Sequence, residues 1–567
     1  MSAQAKLIRV AKGESPADLV LANARIVNVF TGEIEPGNVA IYGDRIAGVG
    51  DYANARQVID VKDSYIAPGL INGHIHPESS MLDITQYARA VVPRGTLGLV
   101  TDLHEIANVS GLEGIRYVLD SAGHLPLGLF LMAPSCVPAT HLETAGASLE
   151  PEEIRQLLRL KQCIGLGEMM NFPGVLFGVK SVLRKIAMAQ RKVIDGHAPG
   201  LSGKNLTAYI SAGISSDHES VTLEEAREKL SKGMYVMIRE GSSEKNLDTL
   251  LPLITDKTYR RCLFVVDDRT CADLMHDGDI DAVVRKAILR GLEPVRAIQL
   301  ATINTAERFR LSCLGAIAPG YFANLILVDD LQALHIDKVF YHGKMVASAG
   351  KPLFQIKQSN GKGLADTVHI KPFRVDDFRL PASGNENLVI EVVPRQIITR
   401  NTRETVKVEN GVVVPDIERD ILKIVVVERH KGTGNIGVGL VKGFGLKLGA
   451  LASSVAHDSH NIVAVGTSDE DLYAAVRQIE RMHGGLVATS GGRVLAELAL
   501  PVAGLLSDKP LEKVVVNLEE LEKAAAELGT KLVSPFATLS FLALPVIPEL
   551  RLTDLGLVDV NAFKLVK

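Results

Sequence analysis

Six residues of metal-binding types stand at the ends of short apolar runs in this chain. They are His74, His76, Glu168, His197, His218 and Asp267. Imidazole and carboxylate groups bind divalent metals when several of them converge on one point. The carboxyl ends of successive parallel strands meet at one edge, so residues far apart in sequence can converge there. The pattern therefore predicts a metal site of the kind used for hydrolysis.

The elements that would position these residues are strand-like runs alternating with helix-like stretches, from residue 66 to 312. GISSDH leads into VTLEEAREKLSKG, in which Thr222 and Glu225 have capping-box spacing. LFVVDD precedes IDAVVRKAILRG, which is apolar on one face at helical spacing. Repeated strand–helix units predict a parallel sheet. The segment has a length that suits a (β/α)8 TIM-like barrel.

The flanking segments have a different texture. Residues 1–65 and 313–362 contain short alternating strands separated by turn residues, which predicts one composite β-sandwich domain built from both. After residue 363, SDEDLYAAVRQIERMHGG predicts an amphipathic helix with Ser468 as N-cap and Gly484 beyond its end. Residues 363–567 are thus expected to form a separate C-terminal α+β domain, in a protein of the α/β class.

Bulk composition narrows the classes of partner. The chain has 567 residues and a formal net charge of -4, which gives no reason to expect nucleic acid or an anionic membrane as partner. Its five cysteines include no C-x-x-C pair, as is typical of a reducing compartment. No run approaches the ~18 apolar residues of a membrane helix, and the N-terminus lacks the apolar core of a signal peptide. We expect a cytoplasmic protein.

Support for a metal site differs from one candidate ligand to the next, and some candidates could have a purely structural role. His74 and His76 would share one face of a strand and could share a metal, but a lone H-x-H is a weak motif. Asp267 follows the apolar run LFVV, where an unpaired carboxylate is costly. Glu168 ends CIGLGE, where it could bridge two metals or simply cap the following turn MMNFPG.

Longer strings accompany the six residues. They include HIHPESS, TDLHEIANVSG, SCVPAT, GEMMNFPGV, DGHAPGLSG, SSDHES, IREGS, VVDDR and, late in the chain, GNIGVGLVKGFGLKLGALASSVAHDSHNIVAVG. The set resembles the amidohydrolase superfamily and, within it, the bacterial and archaeal adenine deaminases, over nearly the whole chain. One departure is NGHIHPESS, where the family more usually has Asp before the first His and a branched apolar residue in place of Pro77. This changes neighbours of the ligands and not the ligands.

The resemblance implies hydrolytic deamination of adenine to hypoxanthine and ammonia, with two divalent metal ions per chain. Mn²⁺ is the first expectation for both ions, with Fe²⁺ or Zn²⁺ as alternatives. It implies that His74, His76 and Asp267 bind one metal, that His197 and His218 bind the second, and that Glu168 bridges them. The metals would supply hydroxide near neutral pH. A carboxylate must then carry a proton to the departing ammonia.

Asp267 is the first candidate for that proton carrier and Glu168 the second, and His218 is counted with them as catalytic. The candidates for binding the base are His104, Glu105, Ser135, Cys136, Glu219, Arg239 and Asp268. Glu78 and Ser79 are expected to orient the histidines from behind. The plainer alternatives are that HEIAN opens a helix, that SCVP is a tight loop, and that Arg239 pairs with Glu240 or another local carboxylate.

Two polar clusters lie in the C-terminal segment, HDSHN (residues 457–461) and SGG (residues 490–492). We interpret them as a turn and a glycine-rich loop; the alternative is that this segment covers the mouth of the sheet and helps to close the site. Two other functions stay open at this point, an amidohydrolase acting on a cyclic amide or another amino-heterocycle, and a non-catalytic scaffold. The expected partners are a small molecule, adenine, and further copies of the chain in a homodimer or higher homo-oligomer.

Overall fold

The computed structural model describes residues 2–357, 361–382, 384–394 and 396–566. The three predicted domains include a few residues outside this description, at positions 1, 358–360, 383, 395 and 567. The chain begins with helix α1 (Ala3–Ala11) and continues in strands. These are β1 (Ala17–Asn28), β2 (Glu33–Tyr42), β3 (Arg45–Gly50), β4 (Ala55–Asp60) and β5 (Tyr65–Pro68).

The middle segment alternates short buried strands with helices. Its strands are β6 (Leu70–Asn72), β7 (Ile75–His76), β8 (Thr96–Thr101), β9 (Gly128–Ala133), β10 (Cys163–Met169), β11 (Val193–Gly196), β12 (Ser216–Asp217), β13 (Tyr235–Arg239), β14 (Cys262–Val265) and β15 (Asp267–Asp268). Its helices are α2 (Ile84–Val91), α3 (His104–Ala122), α4 (Pro151–Leu158), α5 (Phe172–Leu176), α6 (Lys180–Ala189), α7 (Gly203–Ser211), α8 (Leu223–Ser231), α9 (Leu247–Leu250), α10 (Cys271–His276), α11 (Ile280–Leu289), α12 (Pro294–Leu300) and α13 (Ile303–Arg308).

The remaining elements are mostly strands. They are β16 (Leu325–Asp330), β17 (His335–Tyr341), β18 (Lys344–Ser348), β19 (Lys351–Pro352), β20 (Leu380–Pro381), β21 (Glu386–Val392), β22 (Thr399–Thr405), β23 (Lys407–Glu409), β24 (Val412–Val414), β25 (Ile421–Val427), β26 (Ile436–Lys442), β27 (Ala450–Ser453), β28 (Ile462–Gly466), α14 (Asp469–Arg481), β29 (Gly485–Ser490), β30 (Arg493–Ala499), α15 (Leu511–Glu527), α16 (Pro535–Phe541), β31 (Leu550–Thr553), β32 (Gly556–Asp559) and β33 (Lys564–Leu565). Short 3-10 turns occur at Pro77–Ser80, Val92–Arg94, Leu251–Leu253, Tyr259–Arg261, Gly361–Leu364 and Val375–Phe378.

The middle strands form a curled parallel sheet. Strands β6, β8, β9, β10 and β11 pair in that order, strands β12, β13 and β14 pair in turn, and β15 pairs in parallel with β7. Two further hydrogen bonds join the last strands to the first: Asp267 N donates to His74 O at 2.9 Å, and Val266 N donates to Asn72 Oδ1 at 3.3 Å. The α/β content expected from the sequence is confirmed, and all strand carboxyl ends of this sheet lie on one side, here called the rim.

The segments on either side of the curled sheet come together. Strands β1–β5 and β16–β19 share one nine-stranded sheet, in which β16 pairs antiparallel with β5. Farther along, an eight-stranded sheet runs from β22 to β30 with α14 packed beside it. Helix α14 begins where the sequence predicts, because the Ser468 side chain accepts a hydrogen bond from Asp471 N at 3.2 Å.

The C-terminal segment packs directly against the curled sheet. Ser507 N donates to Met81 O at 2.8 Å, and the Arg89 guanidinium forms a two-pronged ion pair with Glu512 at 2.7 and 2.6 Å. One continuous cluster of buried apolar side chains extends from the middle strands into β31 and α16. Within the described part of the chain, no helix is both long and apolar enough to cross a membrane.

Candidate metal centre

The six predicted metal ligands converge at the rim of the curled sheet. Each stands at or just after the carboxyl end of a strand, as follows: His74 after β6, His76 in β7, Glu168 in β10, His197 after β11, His218 after β12 and Asp267 in β15. All are buried except His197, which keeps 17% of its side chain exposed. The strand-end pattern in the sequence therefore corresponds to one cluster in space.

Glu168 lies between two groups of histidines. Its Oε1 atom is 3.3 Å from His76 Nε2, whereas its Oε2 atom is 2.7 Å from His197 Nδ1 and 3.3 Å from His218 Nε2. One carboxylate oxygen thus faces each group. Burial raises the pKa of Glu168, but hydrogen bonds from His197, His218 and His76 outweigh it and hold that pKa well below the ordinary value. Glu168 therefore stands between the two groups of histidines.

Asp267 completes the group that contains His74 and His76. Its Oδ1 atom is 3.2 Å from the Nε2 atoms of both histidines. Its Oδ2 atom accepts a hydrogen bond from Arg239 Nη1 at 2.7 Å. Burial opposes ionisation of Asp267, but the two histidines and the guanidinium keep its pKa well below the ordinary value. The buried carboxylate is therefore charged and fully engaged.

The donor set suits divalent metal ions. Among the described residues, His74, His76 and Asp267 form one group of ligand atoms within 4.8 Å of one another, and His74, Glu168 and His218 form another. The Nε2 atom of His74 is buried yet makes no well-formed hydrogen bond within the described chain. Unprotonated imidazole nitrogen and carboxylate oxygen, without thiolate, match Mn²⁺, Fe²⁺ and Zn²⁺. These clusters could hold a divalent metal.

Arg239 and Glu219 lie beside this cluster. The guanidinium donates to both Glu219 oxygens as well as to Asp267, and Glu219 Oε1 is 3.4 Å from His218 Nε2. The alternative pairing of Arg239 with Glu240 is not found, because Glu240 accepts a hydrogen bond from Lys286 at 2.7 Å instead. Arg239 thus pairs with two carboxylates at the edge of the cluster.

His104 and Glu105 begin α3 and also reach the rim. His104 Nδ1 is 3.0 Å from Asp102 Oδ1 and 3.5 Å from Glu168 Oε1. Glu105 Oε1 is 3.4 Å from His104 Nε2. Both residues are buried. They begin a helix and also line the rim, so the two interpretations of HEIAN do not exclude each other.

Ser135 and Cys136 contact the backbone around Glu168 and not its carboxylate group. The Ser135 hydroxyl donates to the Glu168 carbonyl oxygen, and Cys136 Sγ accepts a hydrogen bond from Asn171 N at 3.4 Å. Lys185 Nζ holds this loop by donating to Ser135 O at 2.9 Å. These contacts fix the backbone that carries Glu168.

The residues expected to orient the histidines take other positions. Ser79 donates to Asp268 Oδ1, and Glu78 Oε1 accepts a 3.4 Å hydrogen bond from Ile106 N, while burial raises the pKa of Glu78 to about 7. The carboxylates behind the histidine rings were missed from the sequence. Asp102 Oδ1 is 3.4 Å from His76 Nδ1, and Asp195 Oδ2 is 3.8 Å from His74 Nδ1. TDLH and VIDGH show both as acids at strand ends, a signal that could have found them.

The C-terminal segment contributes to the same rim: HDSHN forms the turn that the sequence indicates, at residues 457–459, and this turn contacts residues at the rim. His457 Nδ1 is 2.6 Å from Glu105 Oε1, and His460 contacts the other Glu105 oxygen. Asp458 Oδ1 is 4.0 Å from His104 Nε2. Residues 490–492, by contrast, form the turn between β29 and β30, where Gly492 N donates to Asp471 Oδ1 at 2.8 Å.

Comparison with known proteins places the chain. The model of the Amidohydrolase family matches residues 65–346, and the model of the Adenine deaminase C-terminal domain matches residues 396–564. An adenine deaminase of Dehalococcoides mccartyi (strain ATCC BAA-2266 / KCTC 15142 / 195) is 65% identical over 99% of this chain and 98% of its own. The chain belongs to the adenine deaminase family. Adenine deaminase 2 of Carboxydothermus hydrogenoformans is 50% identical over 99% of this chain and 98% of its own.

One solved structure, a β-aspartyl dipeptidase from Fervidobacterium islandicum AW-1, covers 60% of this chain and 99% of its own at a TM-score of 0.45 and 17% identity. A likeness of this size says nothing about activity. The metal-binding potential of the rim rests on its own side chains and on membership of the amidohydrolase family, whose domains typically bind divalent metals.

In this member of the adenine deaminase family, a buried lysine holds the loop that carries His218. Lys229 Nζ is fully buried and donates to Asp217 Oδ2 at 2.7 Å, to Glu225 Oε1 at 2.7 Å and to Ala198 O at 2.9 Å. Asp217 in turn accepts a hydrogen bond from Ala198 N at 2.8 Å. The lysine therefore ties together the loops that follow β11 and β12.

We expect Lys229→Met to lower the free energy of unfolding by about 3–5 kcal/mol, because it leaves Asp217 charged and buried without its partner. Burial raises the pKa of Asp217, but Lys229 outweighs it and the net shift is downward. The stabilisation is therefore present above the unfolded pKa of ~3.9 and is lost as pH falls through the lower folded pKa. Urea unfolding at pH 7 measures the loss.

Lys232→Met is the control variant. It removes a partly exposed pair with Glu228 and should lower the free energy of unfolding by less than about 1 kcal/mol. An equal loss in both variants would contradict the role of Lys229.

Proposed function

We propose that this protein is an adenine deaminase that hydrolyses adenine to hypoxanthine and ammonia at a centre of two divalent metal ions. The observation that carries the proposal is the Glu168 carboxylate, which has one oxygen toward His76 and the other toward His197 and His218. The identity of 65% to a curated adenine deaminase over almost the full length supports the choice of substrate. Purine salvage is the metabolic setting that this reaction fits.

The proposed centre divides its ligands into two sets. His74, His76 and Asp267 would hold one ion, His197 and His218 the other, and Glu168 would bridge them. When bound, such ions make a water molecule acidic enough to act as the nucleophile near neutral pH. Mn²⁺ is the first choice, with Fe²⁺ or Zn²⁺ as alternatives, because the donor set admits all three.

The chain's own residues would then manage the proton and the base. The reaction forms a C6–O bond and breaks the C6–N6 bond, and the amine leaves as ammonia only after it gains a proton. Asp267 is the proposed carrier, because only one of its oxygens faces histidines, whereas both Glu168 oxygens do. Arg239 would hold Asp267 in place through its 2.7 Å hydrogen bond. His104, Glu105, Glu219 and Asp268 stand around the rim, where they would contact the base.

The finer architecture is proposed on the same basis. We infer that the curled sheet closes as a (β/α)8 barrel over residues 66–312, since β15 pairs with β7 and Asp267 N donates to His74 O at 2.9 Å. Residues 1–65 with 313–362 would form the composite β domain, and residues 363–567 the C-terminal domain. Five cysteines without a disulfide favour the cytoplasm. A homodimer or higher assembly stays a prediction.

The test is to load the protein with Mn²⁺ or Fe²⁺ and to measure metal content, ammonia release and the conversion of adenine to hypoxanthine on the same samples. We expect about two ions per chain and equal amounts of ammonia and hypoxanthine. A cyclic amide and a second amino-heterocycle in the same panel should react far more slowly. Protein that holds two ions per chain and releases no ammonia from adenine would contradict the proposal.

A further inference from the structure

A cavity of about 100 Å³ lies between the rim of the curled sheet and the C-terminal segment. Ser79 and Asp268 line it from the rim, and His457, Ser540 and Phe541 line it from the C-terminal side. An engineered cavity of ~150 Å³ takes up benzene, so this volume is on the order of one aromatic ring. Most of its exposed lining surface is apolar, and polar side chains line it from both the rim and the C-terminal side.

The cavity adjoins the metal-ligand cluster at two points. Asp268 directly follows Asp267, which contacts His74 and His76. His457 Nδ1 is 2.6 Å from Glu105 Oε1, and the neighbouring His104 is 3.5 Å from Glu168. A molecule with one end at the cluster would therefore extend its other end toward the cavity.

We propose that this cavity receives the five-membered ring of the purine and that His457 and Phe541 select the free base over a purine substituted at N9. This inference rests on the proposed deamination of adenine. The reacting carbon, C6, belongs to the six-membered ring, and N9 lies at the opposite end of the purine. With C6 at the metal centre, N9 points at the wall formed by the C-terminal segment.

The wall has the chemistry for this role. The rings of His457 and Phe541 stack with their centroids 4.7 Å apart and an interplanar angle of 19°. Since Glu105 engages Nδ1 of His457, the Nε2 atom is the nitrogen left to meet a ring nitrogen of the base. Asp268, whose Oδ1 accepts from Ser79, offers a second carboxylate oxygen to a purine N–H. A flat apolar ring with polar edges suits such a pocket.

The wall is also held firmly enough to discriminate. Phe541 ends α16, and its carbonyl oxygen accepts a 2.9 Å hydrogen bond from Arg551, a fully buried guanidinium. His457 N donates to Ser540 Oγ at 3.3 Å. A substituent at N9 would have to displace this packed segment. A methyl group that does not fit an apolar pocket costs about 10–200-fold in kcat/KM.

The test compares adenine with 9-methyladenine in wild type, Phe541→Ala and His457→Gln, all loaded with the same metal. Phe541→Ala should raise the ratio of kcat/KM for 9-methyladenine to that for adenine by about 10-fold or more. His457→Gln should weaken hypoxanthine binding, measured by equilibrium dialysis, by about 10-fold, since it removes a group at the edge of the base. Phe30→Ala and His369→Gln replace exposed residues of the same types and should match wild type.

Each result has a defined meaning. A wild-type protein that does not deaminate adenine refutes the proposed function, whatever the variants do. An active wild type whose ratio and hypoxanthine binding are unchanged in both variants refutes the cavity as the base site. If Phe541→Ala lowers Tm by several degrees, Phe541→Leu takes its place, with a smaller rise in the same ratio expected and an unchanged ratio again counting against the inference.

Discussion

Glu168→Gln should bind about one metal ion fewer per chain than wild type and lose about 10²–10⁴-fold in kcat/KM for adenine. The wild-type carboxylate has one oxygen facing His76, 3.3 Å from its Nε2, and the other facing His197, 2.7 Å from its Nδ1. An amide keeps the size of the side chain but has only one acceptor oxygen, and its NH₂ group cannot bind a metal ion. One of the two groups of histidines must therefore lose the carboxylate oxygen that faces it.

Metal analysis and steady-state kinetics on the same preparation measure this effect, and thermal unfolding shows whether the fold survives. Glu470→Gln makes the same chemical change at an exposed position in the first turn of α14 and should leave metal content and rate as in wild type. If Glu168→Gln keeps both ions and the full rate, Glu168 does not bridge, and the division of the ligands into two sets fails with it.

The position of the six proposed metal ligands at one rim could be predicted from sequence because local pattern encodes it. His218 and Asp267 each follow a short run of the sequence that ends in a strand, and in the structure they stand just after the carboxyl ends of β12 and β14. An apolar run indicates a buried strand, and the polar residue that follows the run indicates where the strand reaches the rim. The start of α14 at Ser468 is encoded in the same local way, because an N-cap needs only its own side chain and the next turn of backbone.

The contact partners of the groups around the proposed ligands could not be predicted, because these contacts join distant parts of the chain. Arg239 meets Glu219 and Asp267 from a third strand, although its sequence neighbour Glu240 is also an acid. No periodicity in the sequence distinguishes these partners. The packing of the curled sheet decides, since it turns Arg239 toward the rim and leaves Glu240 to Lys286, 2.7 Å away.

The C-terminal contribution, which the sequence left open as an alternative, depends on distant contacts in the same way. HDSHN has the composition of a turn, and only docking of the eight-stranded sheet on the rim brings His457 to Glu105, 2.6 Å away. Two imidazoles on one buried carboxylate also explain how Glu105 stays charged: burial raises its pKa, but His457 and His460 together leave that pKa well below the ordinary value. Side chains of the C-terminal segment thus keep the carboxylate of Glu105, at the start of α3, in its charged form.

Asp267→Asn should lower kcat for adenine by about 10²–10⁴-fold while KM changes little, the result expected when a proton carrier is lost and the base still binds. The asparagine is nearly the same size and keeps an oxygen for the position 3.2 Å from the two histidines. It cannot accept a proton from water at neutral pH, and it leaves the Arg239 charge with Glu219 as its remaining carboxylate partner at the cluster.

The comparison with Glu168→Gln separates the two carboxylates. If Asp267 carries the proton, Asp267→Asn should retain more metal than Glu168→Gln at an equal or greater loss of kcat, because one oxygen still faces His74 and His76. Asp329→Asn, which alters an exposed pair with His335, is the matched control and should keep wild-type kinetics. A fully metallated Asp267→Asn variant with wild-type kcat would exclude Asp267 as the carrier. The proton would then have to travel through Glu168, which has both oxygens among histidines and would need to release one of them in each turnover.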